Sequence, residues 1–461
     1  MKYISTRGQT EAMSFTDAGL TGLAPDGGLL IPESFPDFSG ELDRLSDLSY
    51  SDLAFEIFSS FTTDIPATDL RGMVDRAYST FRDPEIAPSV QVEDFFVLEL
   101  FHGPTLAFKD MAMQFLAQFF EYALEKRDQQ LHILGSTSGD TGSAAIHGMR
   151  GKSRIQIFMM HPEGRTSPIQ ALQMTSVLDS NVHNLAIEGS FDDCQHIMKT
   201  LFADVPFKQK MQLGAVNSVN WIRVMAQIVY YFYAGLNLRK QTGSEKIQFS
   251  VPTGNFGNIL AGYYASQMGL PVSQLILATN ENDILSRFFK SGKYESGEVA
   301  RTLSPSMDIQ VASNFERFLY AIVDGDAEKV SAVMGEFGEK GGVDLSEFSK
   351  HPAMKMVVSD VADTHQTLKE IRSIHENDGY LLDPHTAVGV VVGKHLRNKD
   401  PLICLATAHP AKFVDAIVDA IGEVPHHPVL DALAGADTRC ETLINNVEVV
   451  RNYLVTALLG K

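Results

Sequence analysis

Short apolar runs alternate with longer segments of helical periodicity through most of the chain after residue 94. Short apolar runs bounded by turn residues are typical of buried strands, and apolar positions three or four apart indicate helices. The pattern predicts strands at 96–100, 131–134, 155–160, 247–251, 275–278 and 402–406. Strands that alternate with helices in this way predict an α/β fold with mostly parallel sheets and helical crossovers.

The first 94 residues have a different pattern. An opening rich in Gly and Pro leads into acidic amphipathic segments, which predict helices at 51–61 and 69–81. We therefore predict a mainly helical N-terminal domain at 1–94 and two lobes at 95–225 and 226–461. A long helix is predicted at 221–239, where the tyrosines favour packing over chemistry. The segment 281–364 has a helical pattern with a loop at 335–342 and no chemical motif.

Composition is that of an ordinary globular protein. The chain has 461 residues, of which 44% are hydrophobic, so more than one core is expected. A net charge of −19 argues against nucleic acid and anionic membranes as partners. Three cysteines without metal-ligand spacing suggest neither a disulfide framework nor a zinc site. The first residues have no apolar signal-peptide core, which favours a cytoplasmic location.

Lys109 is the most informative single residue. It and Asp110 are the only Lys, Arg, Asp or Glu residues between Leu100 and Phe120. A charged amine is costly in so apolar a segment, which lowers its pKa and favours attack on a carbonyl carbon. The segment is therefore typical of a Schiff-base lysine. The alternative is that Lys109 pairs with Asp110 at a helix start and extends to solvent.

A loop rich in Gly, Ser and Thr follows the strand predicted at 131–134 and precedes a helical segment. Such a loop presents unpaired amides, hydroxyls and the positive end of a helix dipole to an anion. It therefore predicts a site for a carboxylate or a phosphate, with an ordinary helix cap as the alternative. Its central residues are Ser136, Thr137, Ser138, Gly139, Asp140 and Thr141.

A second loop joins the strand predicted at 247–251 to a helical segment. It consists of Gly254, Asn255, Phe256, Gly257 and Asn258. Two glycines allow the backbone to approach a ligand closely, and successive amides before a helix can cradle a phosphate. On its own, however, such a segment is also compatible with a simple turn.

Together, an amine, a phosphate cradle and a separate anion site are what pyridoxal phosphate and an amino-acid substrate require. At this point the sequence resembles the threonine synthase family, of the longer bacterial and fungal type, within the tryptophan-synthase-β-like superfamily of pyridoxal phosphate enzymes. The resemblance runs from residues 3–8 and 19–28, through Lys109 and both loops, to residues 406–413.

The resemblance implies both a fold and a reaction. The fold is two lobes of mostly parallel sheet with an N-terminal domain. The reaction converts O-phospho-L-homoserine and water to L-threonine and phosphate, the last step of threonine biosynthesis, with pyridoxal phosphate as cofactor. We expect a monomer or a homodimer without a metal ion. A pyridoxal phosphate lyase or dehydratase giving a 2-oxo acid is an alternative. So is a catalytically silent binding homologue, which the intact lysine and loops disfavour.

Residue roles are also implied by the resemblance. Lys109 would bind the cofactor covalently and move protons between Cα, Cβ and Cγ of the substrate. Residues 254–258 match the loop that binds the cofactor phosphate, and Thr407 matches a hydroxyl residue placed against the pyridine nitrogen. The loop from Ser136 to Thr141 faces the substrate carboxylate in relatives. Many superfamily members have asparagine in place of Asp140, so a cofactor contact and a helix-capping role both stay open for it.

A substrate phosphate would need cationic groups. Arginine matches phosphate geometry with two parallel hydrogen bonds, which makes Arg165 and Arg223 the candidates. Asn220, Ser167 and Lys412 are further candidates behind them. The alternative for each arginine is an exposed surface position.

Overall fold

The structure, a computed structural model, describes residues 1–137 and 139–460. The chain forms two compact units. The first unit contains Met1–Ala112 and Ser218–Pro425. The second contains Met113–Asn217 and the chain from His426 onward. Each unit is therefore built from two separate stretches of sequence.

The strands of both units are short, and those of the two large sheets are mostly buried. In chain order they are β1 (Tyr3–Ser5), β2 (Leu30–Pro32), β3 (Ser89–Val92), β4 (Phe95–Glu99), β5 (Leu131–Ser136), β6 (Ile155–Pro162), β7 (Val182–Glu188), β8 (Leu213–Gly214), β9 (Ile247–Pro252), β10 (Val272–Thr279), β11 (Lys293–Glu295), β12 (Gly342–Asp344), β13 (Val357–Val361), β14 (Leu402–Ala406) and β15 (Glu441–Ile444).

Helices connect most of these strands. In chain order they are α1 (Phe15–Thr21), α2 (Leu42–Leu45), α3 (Tyr50–Phe61), α4 (Ala67–Tyr78), α5 (Asp110–Arg127), α6 (Asp140–Met149), α7 (Pro168–Thr175), α8 (Phe191–Ala203), α9 (Val205–Lys210), α10 (Trp221–Thr242), α11 (Gly257–Gln267), α12 (Ile284–Ser291), α13 (Phe315–Ile322), α14 (Ala327–Lys340), α15 (Pro352–Met356), α16 (Thr364–Asp378), α17 (Pro384–Leu396), α18 (Val414–Ile421), α19 (Pro428–Asp431) and α20 (Val447–Leu459).

The first unit is built on a six-stranded sheet with the strand order β13-β10-β9-β14-β4-β3. All neighbouring strands are parallel except β3 and β4. Because β9, β14 and β4 are adjacent and parallel, their carboxyl ends lie at one edge of the sheet. This edge is where open α/β sheets bind their ligands.

Helices of the first unit pack on this sheet. Helix α17 contacts β9, β10, β13 and β14, and α16 packs on α17. Side chains such as Ile276, Val390 and Cys404 form the core between them. Helices α10 and α11 pack on each other and on β9. Every residue of β9 is buried, as expected of a central parallel strand that is covered on both faces.

The second unit contains a five-stranded sheet with the strand order β15-β7-β6-β5-β8. All its neighbouring strands are parallel. Leu134, Ile187, Ile197 and Leu454 belong to its apolar core, to which α8 and α20 contribute. Because β15 and α20 come from the C-terminal stretch, the end of the chain completes a sheet that begins more than 300 residues earlier.

The predicted α/β fold with mostly parallel sheets is confirmed. The strand predicted at 402–406 coincides with β14, and the other predicted strands differ from the observed ones by a few residues at their ends. The predicted helices at 51–61, 69–81 and 221–239 correspond to α3, α4 and α10.

The segment 281–364 differs from its prediction. It contains β11, β12 and β13, and β13 forms one edge of the six-stranded sheet. The predicted loop at 335–342 is wrong, because α14 continues through Gly335 and Gly338 to Lys340. Both glycines face open space and each costs the helix only about 1 kcal/mol relative to alanine. Gly341, with φ of 72°, then ends the helix in a left-handed conformation.

The domain boundaries predicted at 94 and 225 remain a prediction, and the two compact units divide the chain elsewhere. Residues 95–112 lie in the first unit together with the N-terminal segment. Residues from His426 onward lie in the second unit rather than with 226–425. Among the residues that the structure describes, no helix combines the length and apolarity needed to cross a bilayer.

Candidate active site

Three of the predicted site segments follow three adjacent strands of the first unit. The segment with Lys109 follows β4, Thr407 follows β14, and residues 254–258 follow β9. Since these strands are parallel, the sheet places all three segments at its carboxyl edge. The sheet thus brings together segments nearly 300 positions apart in sequence, and these segments form the candidate site.

Backbone hydrogen bonds join the lysine segment to the end of β14. The amide of Phe108 donates to the carbonyl oxygen of Thr407 at 2.8 Å, and the amide of His409 donates to that of Leu106 at 3.1 Å. This antiparallel bridge fixes the backbone on either side of its contacts. Lys109 is thus held beside Thr407 by main-chain contacts that do not depend on either side chain.

Lys109 itself is half-buried and directly precedes α5. Its Nζ atom lies 4.8 Å from the centroid of the Phe108 ring. A cation above an aromatic face is weakly stabilised, and the ring shields one side of the amine from water. Lys109 is therefore less buried than its apolar sequence context suggests.

Asp110, the neighbour of Lys109, is fully buried and anchors the preceding loop. Its carboxylate accepts hydrogen bonds from the amide of Thr105 at 2.7 Å and from the Thr105 hydroxyl at 2.9 Å. Lys412 Nζ donates to the carbonyl oxygen of Thr105 at 2.8 Å, and the guanidinium of Arg82 donates to that of Gly103. Burial raises the pKa of Asp110 to about 6, against the opposing effects of Thr105, Lys412 and Arg82.

The loop at 254–258 presents unused backbone donors. Within the described residues, the amides of Gly254, Asn255, Gly257 and Asn258 donate no hydrogen bond to the protein. Gly254 must lack a side chain, because a Cβ atom there would lie 2.6 Å from the carbonyl oxygen of Ser306. Four open amides at the start of α11 form a cradle for an anion.

Phe256 keeps this helix start open. It is the N-cap residue of α11, and its side chain makes no capping hydrogen bond. Its φ of 63° is left-handed, which costs a residue with a Cβ atom about 1–2 kcal/mol. The ring packs against Phe289, Phe315 and Phe318 with centroid distances of 5.3–6.2 Å. This aromatic cluster holds the strained residue in place.

Tyrosines of α10 support the end of the cradle. The Tyr230 and Tyr231 hydroxyls donate to Asn258 Oδ1 at 2.6 and 2.9 Å, and Asn258 Nδ2 is a buried donor without a partner. The helical spacing of these tyrosines predicts packing in the core, but it does not predict their contact with the loop. Aromatics in an apolar helix carry no local signal for a partner some 28 residues away.

Thr407 is buried and belongs to a polar network. Its amide donates to the Thr386 hydroxyl oxygen at 3.3 Å, and the Thr386 hydroxyl donates to the Asp383 carboxylate. Asp383 Oδ1 also lies 2.9 Å from His385 Nδ1. The network fixes the backbone at the end of β14, and the sequence motifs gave no sign of it.

Arg223 and Asn220 lie in the first turn of α10. Asn220 is the N-cap residue: its Oδ1 accepts from the amide of Ile222 at 3.0 Å, and its Nδ2 donates to the carbonyl oxygen of Gly19 at 2.8 Å. Arg223 is buried, and its Nε and Nη1 atoms find no hydrogen-bond partner in the part of the chain that the structure describes. Burial alone lowers the pKa of Arg223 to about 10. The side chain therefore stays cationic at neutral pH.

The remaining predicted residues lie in the second unit. The Thr137 hydroxyl oxygen accepts from the amides of Gly139 and Gly142, each at 3.0 Å, and closes a tight turn after β5. Gly139 is the N-cap residue of α6, with φ of 154°. A Cβ atom there would lie 2.4 Å from the Gln170 side chain. Ser136 and Thr141 are half-buried, and Ser138 lies outside the described residues.

Asp140 is the first residue of α6 and is buried. Its Oδ1 accepts a hydrogen bond from Gln170 Nε2 at 2.9 Å. The N-cap position belongs to Gly139, so Asp140 stabilises the helix start as an acidic first-turn residue rather than as its cap. Arg165 and Ser167 are exposed, and the Ser167 hydroxyl caps α7.

The first unit alone fits pyridoxal phosphate. A phosphate dianion matches the four open amides at the start of α11, an aldehyde matches the amine of Lys109, and the buried edge near Thr407 suits an aromatic ring. These features coincide with the match of residues 80–347 to the family described as pyridoxal-phosphate dependent enzyme. The protein is therefore an enzyme of the pyridoxal-phosphate-dependent class.

Two flanking matches narrow the class. Residues 2–78 match the family described as threonine synthase N terminus, and residues 386–454 match threonine synthase, C-terminal. The threonine synthase of Methylobacillus glycogenes is 45% identical over 99% of both chains. The chain therefore belongs to the threonine synthase family.

Solved structures agree along the whole chain. A threonine synthase from Brucella melitensis with bound pyridoxal phosphate has a TM-score of 0.96 and 46% identity, with 99% of both chains covered. The yeast threonine synthase has a TM-score of 0.94 and 41% identity, with 100% of this chain and 99% of the yeast chain covered. The fold predicted by resemblance is thus confirmed.

The pKa of Asp110 predicts a pH-dependent stability. An aspartate in an unfolded chain titrates near 3.9, so the folded state binds this proton more tightly. The protonated Asp110 side chain therefore makes its full contribution to the free energy of unfolding below about pH 4. This contribution, up to about 3 kcal/mol, is lost as the pH rises to about 6. Urea midpoints of the native protein and of Asp110→Asn should diverge across this range, because the variant cannot titrate. A constant difference from pH 4 to 7 would contradict the assignment.

Proposed function

We propose that this protein converts O-phospho-L-homoserine and water to L-threonine and phosphate, with pyridoxal phosphate as its cofactor. The observation that carries the proposal is the combination of Lys109, Thr407 and the open amides of 254–258 at one sheet edge. The similarity to threonine synthases along the whole chain supports this particular reaction.

The cofactor would be held by three groups of the first unit. Lys109 Nζ would bond to the aldehyde carbon, the amides of 254–258 would bind the phosphate, and the Thr407 hydroxyl would contact the pyridine nitrogen. A neutral hydroxyl does not enforce protonation of that nitrogen as a carboxylate would. When bound, pyridoxal phosphate supplies an electron sink for the charge that develops on the substrate carbons.

Lys109 is also the group that we assign to proton movement. Its Nζ atom would remove protons from Cα and Cβ of the substrate, deliver one to Cγ after the phosphate has left, and return one to Cα after water has added to Cβ. Its backbone is fixed by the bridge to residues 406–409, and the residue itself is half-buried. One flexible amine on a rigid segment suits repeated transfer between neighbouring carbons.

The substrate carboxylate is assigned to the loop from Ser136 to Thr141. The tight turn made by Thr137 and Gly139 places the start of α6 directly after β5, and a helix start favours an anion. The contact between Asp140 and Gln170 favours a supporting role for Asp140 over direct contact with ring oxygen. In this proposal the predicted lobe 95–225 contributes the carboxylate loop, and the lobe 226–461 contributes the phosphate loop.

Among the candidates for the substrate phosphate, we favour Arg223. A buried cation without a counter-ion costs several kcal/mol, and a bound anion would offset that cost. Asn220 is already engaged as the cap of α10, and Arg165 is exposed. Arg223 is therefore the candidate that combines burial with guanidinium donors left unpaired among the described residues.

The covalent role of Lys109 predicts where borohydride fixes the cofactor. Lys109→Ala should abolish the reducible bond to pyridoxal phosphate, because the proposed bond to the aldehyde carbon requires the Lys109 amine. Lys126→Ala, at the far end of α5, should retain it. Peptide mapping after reduction identifies the modified lysine. A pyridoxyl group on Lys412 or any other lysine would overturn the assignment.

The role of Arg223 predicts a separation of stability from substrate affinity. Arg223→Met removes an uncompensated buried cation, so the melting temperature should be unchanged or higher. Loss of a charge-assisted contact to phosphate should raise KM for O-phospho-L-homoserine about tenfold or more. Arg165→Met serves as the exposed control and should leave KM nearly unchanged. An unaltered KM in Arg223→Met would exclude Arg223 from the phosphate site.

Isotope labelling separates threonine formation from a lyase reaction. If Cγ is protonated and water then bonds to Cβ, deuterium oxide should give threonine with deuterium in the methyl group and at Cα. Oxygen-18 water should label the Cβ hydroxyl. A lyase would instead release ammonia and 2-oxobutyrate. Mass spectrometry that found unlabelled methyl groups, or 2-oxobutyrate as the main product, would reject the proposed function.

A further inference from the structure

Asn314 and Arg317 form a buried hydrogen-bonded pair behind the loop 254–258. Both side chains are fully buried, and neither belongs to a motif that the sequence analysis recognised. We propose that this pair positions Asn255, and through it the open amides of the loop, for the phosphate of the cofactor. The inference rests on the proposed role of this loop in binding that phosphate.

Asn314 binds the loop through two donors. Its amide and its Nδ2 atom donate to the carbonyl oxygen of Asn255, at 3.1 and 3.2 Å. Nδ2 also donates to the carbonyl oxygen of Ser218 at 3.1 Å. The side chain lies close to Gly257, where a Cβ atom would be 3.1 Å from Nδ2. Asn314 therefore holds the back of the loop, and Gly257 leaves the room for it.

Arg317 fixes the orientation of that amide. Its Nη1 donates to Asn314 Oδ1 at 2.6 Å. Its Nη2 donates to the carbonyl oxygens of Leu30 and Val219, at 2.7 and 2.6 Å, and its Nε donates to Leu30 at 3.2 Å. An arginine held by fixed backbone acceptors is a rigid donor. Because Nη1 requires an oxygen, Nδ2 of Asn314 must face the loop.

The pair matters for the phosphate because of the strained residue next to Asn255. The Asn255 carbonyl belongs to the peptide unit that sets φ of Phe256, which is left-handed at 63°. Two hydrogen bonds on that carbonyl contribute about 1–3 kcal/mol, enough to offset the strain. Without them the peptide unit can rotate to an unstrained conformation. Rotation would redirect the open amides away from a common point.

The test compares two ligands that differ only in the phosphate. The two ligands share the same ring, and closure of free pyridoxal to its internal hemiacetal weakens its binding equally in every variant, so a defect confined to the phosphate loop changes only the affinity for pyridoxal phosphate. The variants are Asn314→Leu and Arg317→Lys, neither of which adds charge near the loop. Absorbance titration of each apo-enzyme gives both dissociation constants, and thermal melting reports the integrity of the fold.

We expect both variants to bind pyridoxal phosphate about tenfold or more weakly. Each variant disturbs only part of the hydrogen bonding that holds the loop, so the loss should not be complete. Affinity for pyridoxal should change by less than about twofold. Asn314→Leu removes the Nδ2 donor. Arg317→Lys keeps the positive charge, but an ammonium group cannot donate to all the acceptors that the planar guanidinium reaches. If one variant fails to fold, the other still decides the proposal.

Thr6→Val is the matched control for general loss of stability. The Thr6 hydroxyl donates at 2.6 Å to Glu316, which lies between Asn314 and Arg317 in sequence and whose carboxylate also accepts from Arg7. This variant should melt at a lower temperature with an unchanged preference for pyridoxal phosphate over pyridoxal. A parallel loss of both affinities in Asn314→Leu and Arg317→Lys, or no loss, would overturn the proposal. A native protein that does not prefer pyridoxal phosphate would instead refute the proposed phosphate loop.

Discussion

The candidate site depends on the main-chain pairing between the segment after β4 and the segment after β14. The amide of Leu100 donates to the carbonyl oxygen of Ala406 at 3.0 Å, and an antiparallel bridge joins Ala107 to Ala408 a few residues further on. Between these contacts the chain leaves β4, turns, and returns beside Thr407. The pairing holds the segment after β4 beside the segment after β14, so the position of Lys109 follows from the topology of the sheet.

A buried carboxylate stabilises the same turn from inside. Asp110 binds both the amide and the hydroxyl of Thr105, and Gly103 allows the close approach because a Cβ atom there would lie 2.4 Å from that of Asp110. Lys412 binds the same turn from residues that follow β14. The buried side chains of Asp110 and Lys412 thus stabilise the lysine segment from inside the fold. Lys412, a further candidate for the substrate phosphate by sequence, therefore has a structural partner in this turn.

Much of this site could be predicted from the sequence because its signals are local. Lys109 stands out within twenty residues, and the phosphate loop is recognisable from two glycines between a strand and a helix. The supporting residues are different. Asn314 and Arg317 contact residues 59 to 287 positions away, and a polar residue in a helix gives no sign of so distant a partner. The edge strand β13 was missed for a related reason, because its pairing with β10 outweighs its weak local pattern.

The starts of α6 and α11 show why the two predicted anion loops differ. Both helices follow a parallel strand, and both begin at an N-cap residue with positive φ and no capping side chain. In α6, however, the Thr137 hydroxyl already accepts from the amides of Gly139 and Gly142.

In α11, by contrast, the amides of residues 254, 255, 257 and 258 donate to no group in the described protein. A phosphate dianion has more acceptor oxygens and more charge than a carboxylate, so it needs the larger set of open donors. The difference supports the assignment of the cofactor phosphate to α11 and of the smaller carboxylate to α6. It also gives a physical criterion for ranking such loops: the number of helix-start amides that the protein itself leaves unused.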